Sequence, residues 1–301
     1  MFLLLCELAA QLGAKHLNRD RMHIHELPAI AKRLHESAGP KILILGNSLS
    51  LHGVSSEIMQ TQMKADGIHD ATVEFAVPVG TDSMDWLYLY RRYFLNPELI
   101  PDVVVIGYVR HHVVDLVPPK RIRRLGRHFL DVVDAKKMFN DSVPKFETQV
   151  ELLLSNLSAA YGDQPEYRDL ALGEVLPNFS KSERRINKVL EDKQIALVGD
   201  VTTGKKFEHI EDLAKILKAT GTHGIFIPMA LPEPWETDPE VEQIITELGM
   251  TYLDARNLES LTPEDFPDGY HMGERAKELY SRFLGKHVVS QLKNSTLLKK
   301  K

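Results

Sequence analysis

From residue 41 onward two kinds of hydrophobic run alternate along the chain. Short runs, most of them rich in Val and Ile, occur at 42–45 (ILIL), 73–77 (VEFAV), 103–106 (VVVI), 224–227 (GIFI) and 251–253 (TYL). Each is too short for a helix, so strands are predicted. Between and after them, amphipathic stretches predict helices near 54–66, 82–95, 207–219, 237–248 and 272–291. Strands separated by helices predict an α/β protein with a parallel sheet covered on both faces. In such sheets ligands bind beyond the carboxyl ends of the strands, so chemistry is expected in the residues that follow each one.

Two regions break the alternation. Residues 2–14 (FLLLCELAAQLGA) are apolar apart from Glu7 and Gln11. They read as a short amphipathic helix packed on the body of the protein, with the remnant of a membrane anchor as the sharper alternative. No Lys or Arg precedes the apolar run, unlike the basic start of a secretory signal. This segment is the feature that could bring the chain to a membrane, and it leans the expected location toward the cell envelope. Between Asp115 and Lys206 the strand–helix rhythm lapses into helical material such as 148–161 (TQVELLLSNLSAAY), after a Pro-Pro pair and a basic stretch from Lys120 to Arg127 (KRIRRLGR). The expected organisation is an N-terminal helical segment (1–40), an α/β domain (41–116 with 207–293) and a helical insertion forming a lid or subdomain (117–206). The basic stretch is expected to be a solvated helix face, with a dock for an anionic polymer or lipid headgroup as the alternative.

Composition narrows the classes. The 301 residues carry 37 basic and 42 acidic side chains, a net charge of −5, so the basic excess typical of nucleic-acid partners is absent. Cys6 is the only cysteine, which excludes an intrachain disulfide framework and a cysteine zinc site. No apolar run approaches the ~20 residues that span a bilayer.

Two post-strand segments carry candidate chemistry. After the first strand comes Gly46-Asn47-Ser48-Leu49-Ser50. A serine there sits on the turn into a helix with its hydroxyl at the rim, beside backbone N–H groups able to hold an oxyanion. Asn and Ser are also ordinary turn and cap residues, and an inward-facing Ser48 could simply cap the helix. Before the last helix comes Asp268-Gly269-Tyr270-His271. An Asp three residues ahead of a His can hold its Nδ1 and leave Nε2 outward as a base. The plainer reading of that segment is a helix start in which the Asp caps and the His is merely polar.

Taken together, GNS (46–48) and DGYH (268–271) resemble the first and last blocks of the SGNH/GDSL hydrolase superfamily. The resemblance implies a flavodoxin-like three-layer α/β/α fold and Ser-His-Asp esterase or acyltransferase chemistry without a cofactor. Ser48 would be the nucleophile, His271 the general base and Asp268 its orienting partner. Gly80 (VPVGTDS) matches the family's second block, whose backbone N–H joins that of the nucleophile in the oxyanion hole. The third block, usually G-x-N-D, departs: the run is Gly107-Tyr108-Val109-Arg110-His111-His112, with no Asn. Arg110, His111 or His112 would have to supply the missing donor, or the hole is weaker. The long insertion and the run from 227 to 284 also resemble the bacterial polysaccharide O-acetylation and D-alanine transfer proteins. The implied substrate is a small-molecule or carbohydrate ester, with acetyl as the expected acyl group. A catalytically inactive scaffold that binds a carbohydrate or a protein is the alternative, and the missing Asn is its main support.

Two other patterns are weaker. Residues 199–206 (GDVTTGKK) nearly spell a phosphate-binding loop, but Lys206 stands where Ser or Thr must meet magnesium. His23 with His25, and His111 with His112, suggest metal ligands only superficially, because such close pairs do not converge on a helix.

Overall fold

The computed structural model describes residues 2–13, 18–95, 99–115, 121–141, 145–179, 182, 206–258 and 261–294. In chain order its first elements are α1 (Phe2–Gly13), α2 (Arg19–Glu36), β1 (Lys41–Leu45), α3 (Ser48–Gly53), α4 (Ser56–Ala65), β2 (Thr72–Ala76), α5 (Ser83–Tyr93) and β3 (Val103–Tyr108). There follow α6 (Ile122–Arg124), α7 (Val132–Asp141), α8 (Phe146–Leu157), α9 (Ala159–Gly162) and α10 (Gln164–Val175). The chain then gives α11 (Glu208–Thr220), β4 (His223–Pro228), α12 (Pro239–Glu247), β5 (Thr251–Tyr252) and α13 (Glu274–Asn294). Residue contacts divide the chain into two units, Met1–His25 with Val114–Lys206 and Glu26–Val113 with Phe207–Lys301.

Among its described residues the second unit holds a five-stranded, all-parallel sheet in the order β2-β1-β3-β4-β5, the strand order of the flavodoxin-like fold. The predicted strands and helices appear where the hydrophobic runs put them, shifted by up to three residues at their ends. The inner strands β1, β3 and β4 alternate between two buried faces, as the period of two requires, while the edge strands β2 and β5 are only partly buried. Ile42, Ile44, Val103, Val105, Ile225 and Ile227 share one core with Met59 and Met63 of α4 and with Tyr280, Leu284 and Val288 of α13. On the other side of the sheet α5 and α11 pack together, and the intervening Leu43, Leu45, Val104, Ile106 and Phe226 are buried too. Helices on both faces leave the carboxyl ends of the strands as the polar edge.

The first unit is helical among its described residues. Its N-terminal helix is anchored by a cap: Glu7 accepts hydrogen bonds from the Ser158 hydroxyl (2.7 Å) and from the N–H groups of Ala159 (2.7 Å) and Ala160 (3.1 Å) at the start of α9. Burial pushes that carboxyl up, but these bonds and one from Gln11 outweigh it and hold Glu7 at about 2. Of the basic stretch, Lys120 lies outside the described residues and Arg121 is exposed as expected, but the other arginines do not form a solvated face. Arg124 is buried beside Asp20, Arg127 lies against Asp163, and Arg123 pairs with Glu151 while stacking over Tyr161. The stretch runs from α6 into a turn of π-helix (Leu125–Phe129), and its arginines are drawn in by acidic partners on neighbouring helices. Asp163 is fully buried and meets His128 Nε2 at 2.8 Å, Arg21 at 3.4 Å and Arg127 at 3.5 Å; Arg21 also pairs with Glu166. Among the described residues, no helix is long and apolar enough to cross a membrane.

Candidate active site

The site is built where β1 ends. Asn47 is the N-cap of α3, its side-chain oxygen accepting from the Leu49 N–H at 3.0 Å. Its amide nitrogen donates to the Thr81 carbonyl (3.0 Å) and lies 3.1–3.2 Å from the ring nitrogens of His112. One buried Asn thus ties together the loops that follow β1, β2 and β3. The Thr81 hydroxyl lies 2.8 Å from the Gly46 carbonyl, and the Trp86 indole N–H reaches the same carbonyl at 3.1 Å. Glycine is required at 46 and 107: a Cβ would stand 2.3 Å and 2.6 Å from the Ser50 hydroxyl, respectively. Ser50 therefore faces inward, buried against the Met229 sulfur at 3.8 Å.

Ser48 faces the other way. Its Oγ lies 3.0 Å from His271 Nε2, across 223 residues of sequence, and the helix cap is Asn47 rather than Ser48. His271 Nδ1 lies 2.7 Å from Asp268 Oδ2. The other oxygen of Asp268 accepts from the N–H groups of Tyr270 (2.9 Å) and His271 (2.7 Å), so the tight loop fixes the carboxylate before it orients the ring. Since a carboxylate only accepts, the Nδ1 nitrogen carries the proton and Nε2 is left to accept from the serine hydroxyl. Burial pushes the Asp268 carboxyl up, but the hydrogen bonds from His271 and Tyr270 outweigh it and hold it at about 2. The acid is therefore ionised throughout the neutral range.

Of the other residues expected at the site, Gly80 lies in the loop after β2, one residue before Thr81, with a φ of +65° that favours glycine. Arg110, His111 and His112 form a 3-10 turn after β3. Arg110 is partly exposed, whereas both histidines are buried. His112 Nδ1 accepts from the Val109 N–H at 3.2 Å, and its ring meets those of Trp86 and His111 edge-on. A cavity of about 160 Å³ opens at the same end of the sheet, between the loops after β4 and β5, lined by Ala230, Leu231, Trp235, Arg256, Leu261 and Phe266 among others.

Sequence reasoning missed His52. It lies one helical turn beyond Ser48, and its ring centroid is 4.7 Å from that of His271, tilted by 46°. The i, i+4 spacing from the serine was the available signal. The near phosphate-binding loop falls largely on 199–205, outside the described residues. His23 and His25 are on α2, and no cluster of three His, Cys, Asp or Glu side chains able to hold a metal occurs among the described residues.

No protein-family model matches the chain, and no curated protein matches it. Solved structures do. A variant of an acetyl-xylooligosaccharide esterase from Geobacillus stearmophilus aligns with 85% of this chain and 96% of its own, at 12% identity and a TM-score of 0.41. An alpha/beta hydrolase from the Lake Arreo metagenome aligns with 85% of this chain and 98% of its own, at 12% identity and a TM-score of 0.41. A GDSL-like lipase from Bacteroides thetaiotaomicron aligns with 89% of this chain and 98% of its own, at 10% identity and a TM-score of 0.38.

Proposed function

We propose that the chain is a serine-dependent ester hydrolase or O-acyltransferase of the SGNH type, with Ser48, His271 and Asp268 as its catalytic residues. One observation carries the reading: a serine hydroxyl, an imidazole and a carboxylate are joined in series at 3.0 Å and 2.7 Å. In the proposed reaction Ser48 Oγ forms a bond to the ester carbonyl carbon while His271 Nε2 takes its proton. The ionised Asp268 stabilises the resulting imidazolium. Backbone N–H groups of Ser48 and Gly80 are the proposed donors to the oxyanion. The carbonyl re-forms, the C–O bond to the alcohol breaks, and the imidazolium returns its proton to the departing oxygen. Water or an acceptor hydroxyl then attacks the acyl-serine by the same sequence. Release by water makes the chain an esterase, and release by an acceptor makes it a transferase.

The test is hydrolysis of p-nitrophenyl acetate by the parent chain and by Ser48→Ala. The expected result is a loss of at least about 10³-fold in kcat/KM, the scale on which triad members act. Turnover that survives in Ser48→Ala contradicts the assignment, and a folded parent with no esterase or acceptor-dependent activity favours the inactive scaffold. Because Asp268 stays ionised down to about 2, loss of activity in mild acid would not report on that carboxylate.

A further inference from the structure

The bond to Asp268 restrains only one edge of the His271 ring. The Asp268 side chain is 56% exposed, and the loop between the two residues passes through Gly269 at a φ of +76°. The ring is bracketed from two other directions. Tyr270 meets it edge-on with centroids 5.0 Å apart, and His52, reaching over from α3, packs against it at 4.7 Å. The helix that presents the serine therefore also presents a ring against the imidazole that the serine must meet.

We propose that His52 is a positioning residue for the general base: its ring, one helical turn beyond Ser48, packs on the imidazole of His271 and holds it in the rotamer that reaches the serine hydroxyl. This rests on the esterase reading above. A neutral ring suits the role, because a second positive charge would oppose the imidazolium formed during catalysis. Burial, then the facing His271 and Lys277, hold His52 below the ordinary histidine value, against the opposing pull of Asp268 and Glu274. Those four side chains are the titratable groups that act on it most among the described residues.

His52 is open to solvent on one side, packs on His271 on the other and lies outside the apolar core, so its replacement is expected to leave the core untouched. Esterase kinetics and fluorophosphonate labelling are measured on the parent and on His52→Ala, His52→Phe and His52→Lys. Loss of ring packing is expected to lower kcat about tenfold in His52→Ala with KM within about twofold, the scale on which small misplacements of a catalytic group act. His52→Phe restores kcat to within about threefold of the parent. His52→Lys moves the acid limb of the pH profile to lower pH, because a fixed positive charge disfavours imidazolium. Parent-like kcat in His52→Ala, a change confined to KM, or a Phe variant as impaired as Ala overturns the proposal. A parent chain inert to the fluorophosphonate overturns the esterase reading and this proposal with it. A reactive parent beside an unaffected Ala variant overturns this proposal alone.

Discussion

The two units handle polar side chains in opposite ways. In the α/β unit the sheet interior is apolar, and polar groups collect at the carboxyl ends of the strands. There Asn47, Thr81 and His112 bind the loops together, leaving Ser48, Asp268 and His271 at the surface. In the helical unit the charges go inside, where Asp163 sits among His128, Arg21 and Arg127 with none of its side chain exposed. An arrangement of the first kind keeps reactive groups solvated and preorganised. A buried ion cluster of the second kind contributes little net stability when intact, yet is costly to break, because removing one partner strands the others' charge. In this chain, then, buried charge marks how helices are held, and the polar rim of the sheet marks the candidate chemistry.

The sharpest way to break that contrast is Asp163→Ala. Leaving Arg21 and Arg127 without their shared carboxylate should destabilise the helical unit by about 3–5 kcal/mol in equilibrium urea unfolding. A loss below about 1 kcal/mol would show that the cluster is as dispensable as a surface pair. The matching change in the α/β unit is Gly107→Ala, whose added methyl would stand 2.6 Å from the Ser50 hydroxyl and 2.7 Å from the Met229 sulfur. It should cost about 1–3 kcal/mol through overpacking, with a neutral result showing that the two side chains give way. The smallest effect is one of pH. Burial, opposed by its bond to Asp163, holds His128 at about 3 against an ordinary 6.5, so the folded state keeps it neutral. The unfolded chain binds a proton there first, and this contribution to stability is full above about 6.5 and declines as pH falls toward 3. Asp163, which the same partners hold below its ordinary value against burial, adds a loss in the same direction at lower pH. The melting temperature should therefore fall from pH 7 to pH 5, and should fall less in a His128→Phe variant. Identical slopes in the two would remove His128 from the account.

What was legible in the sequence follows the same division. The inner strands β1, β3 and β4 could be read because a parallel strand buried on both faces is a nearly continuous apolar run, and the partly buried edge strands β2 and β5 because their short runs stand between helical stretches. The candidate triad could be read because each half is local: Ser48 follows a strand, and Asp268 and His271 are three residues apart on one loop. The roles that join distant residues were hidden. Nothing in GNS shows that the Asn47 amide would reach Thr81 and His112, and nothing near Ser48 shows that His52 would meet a ring 219 positions further on. The basic stretch misled for a related reason: its arginines find Asp20, Glu151 and Asp163 through packing, which charge patterning alone cannot reveal. Local pattern exposes elements and loop motifs, whereas burial of charge depends on the tertiary neighbours.

The most direct test is to treat the chain with a fluorophosphonate probe and locate the adduct by peptide mass mapping. One stoichiometric adduct is expected on Ser48, none on the inward-facing Ser50, and labelling slowed by orders of magnitude in His271→Ala. An unlabelled chain, or a Ser48 adduct that forms as quickly without His271, would contradict the proposed triad.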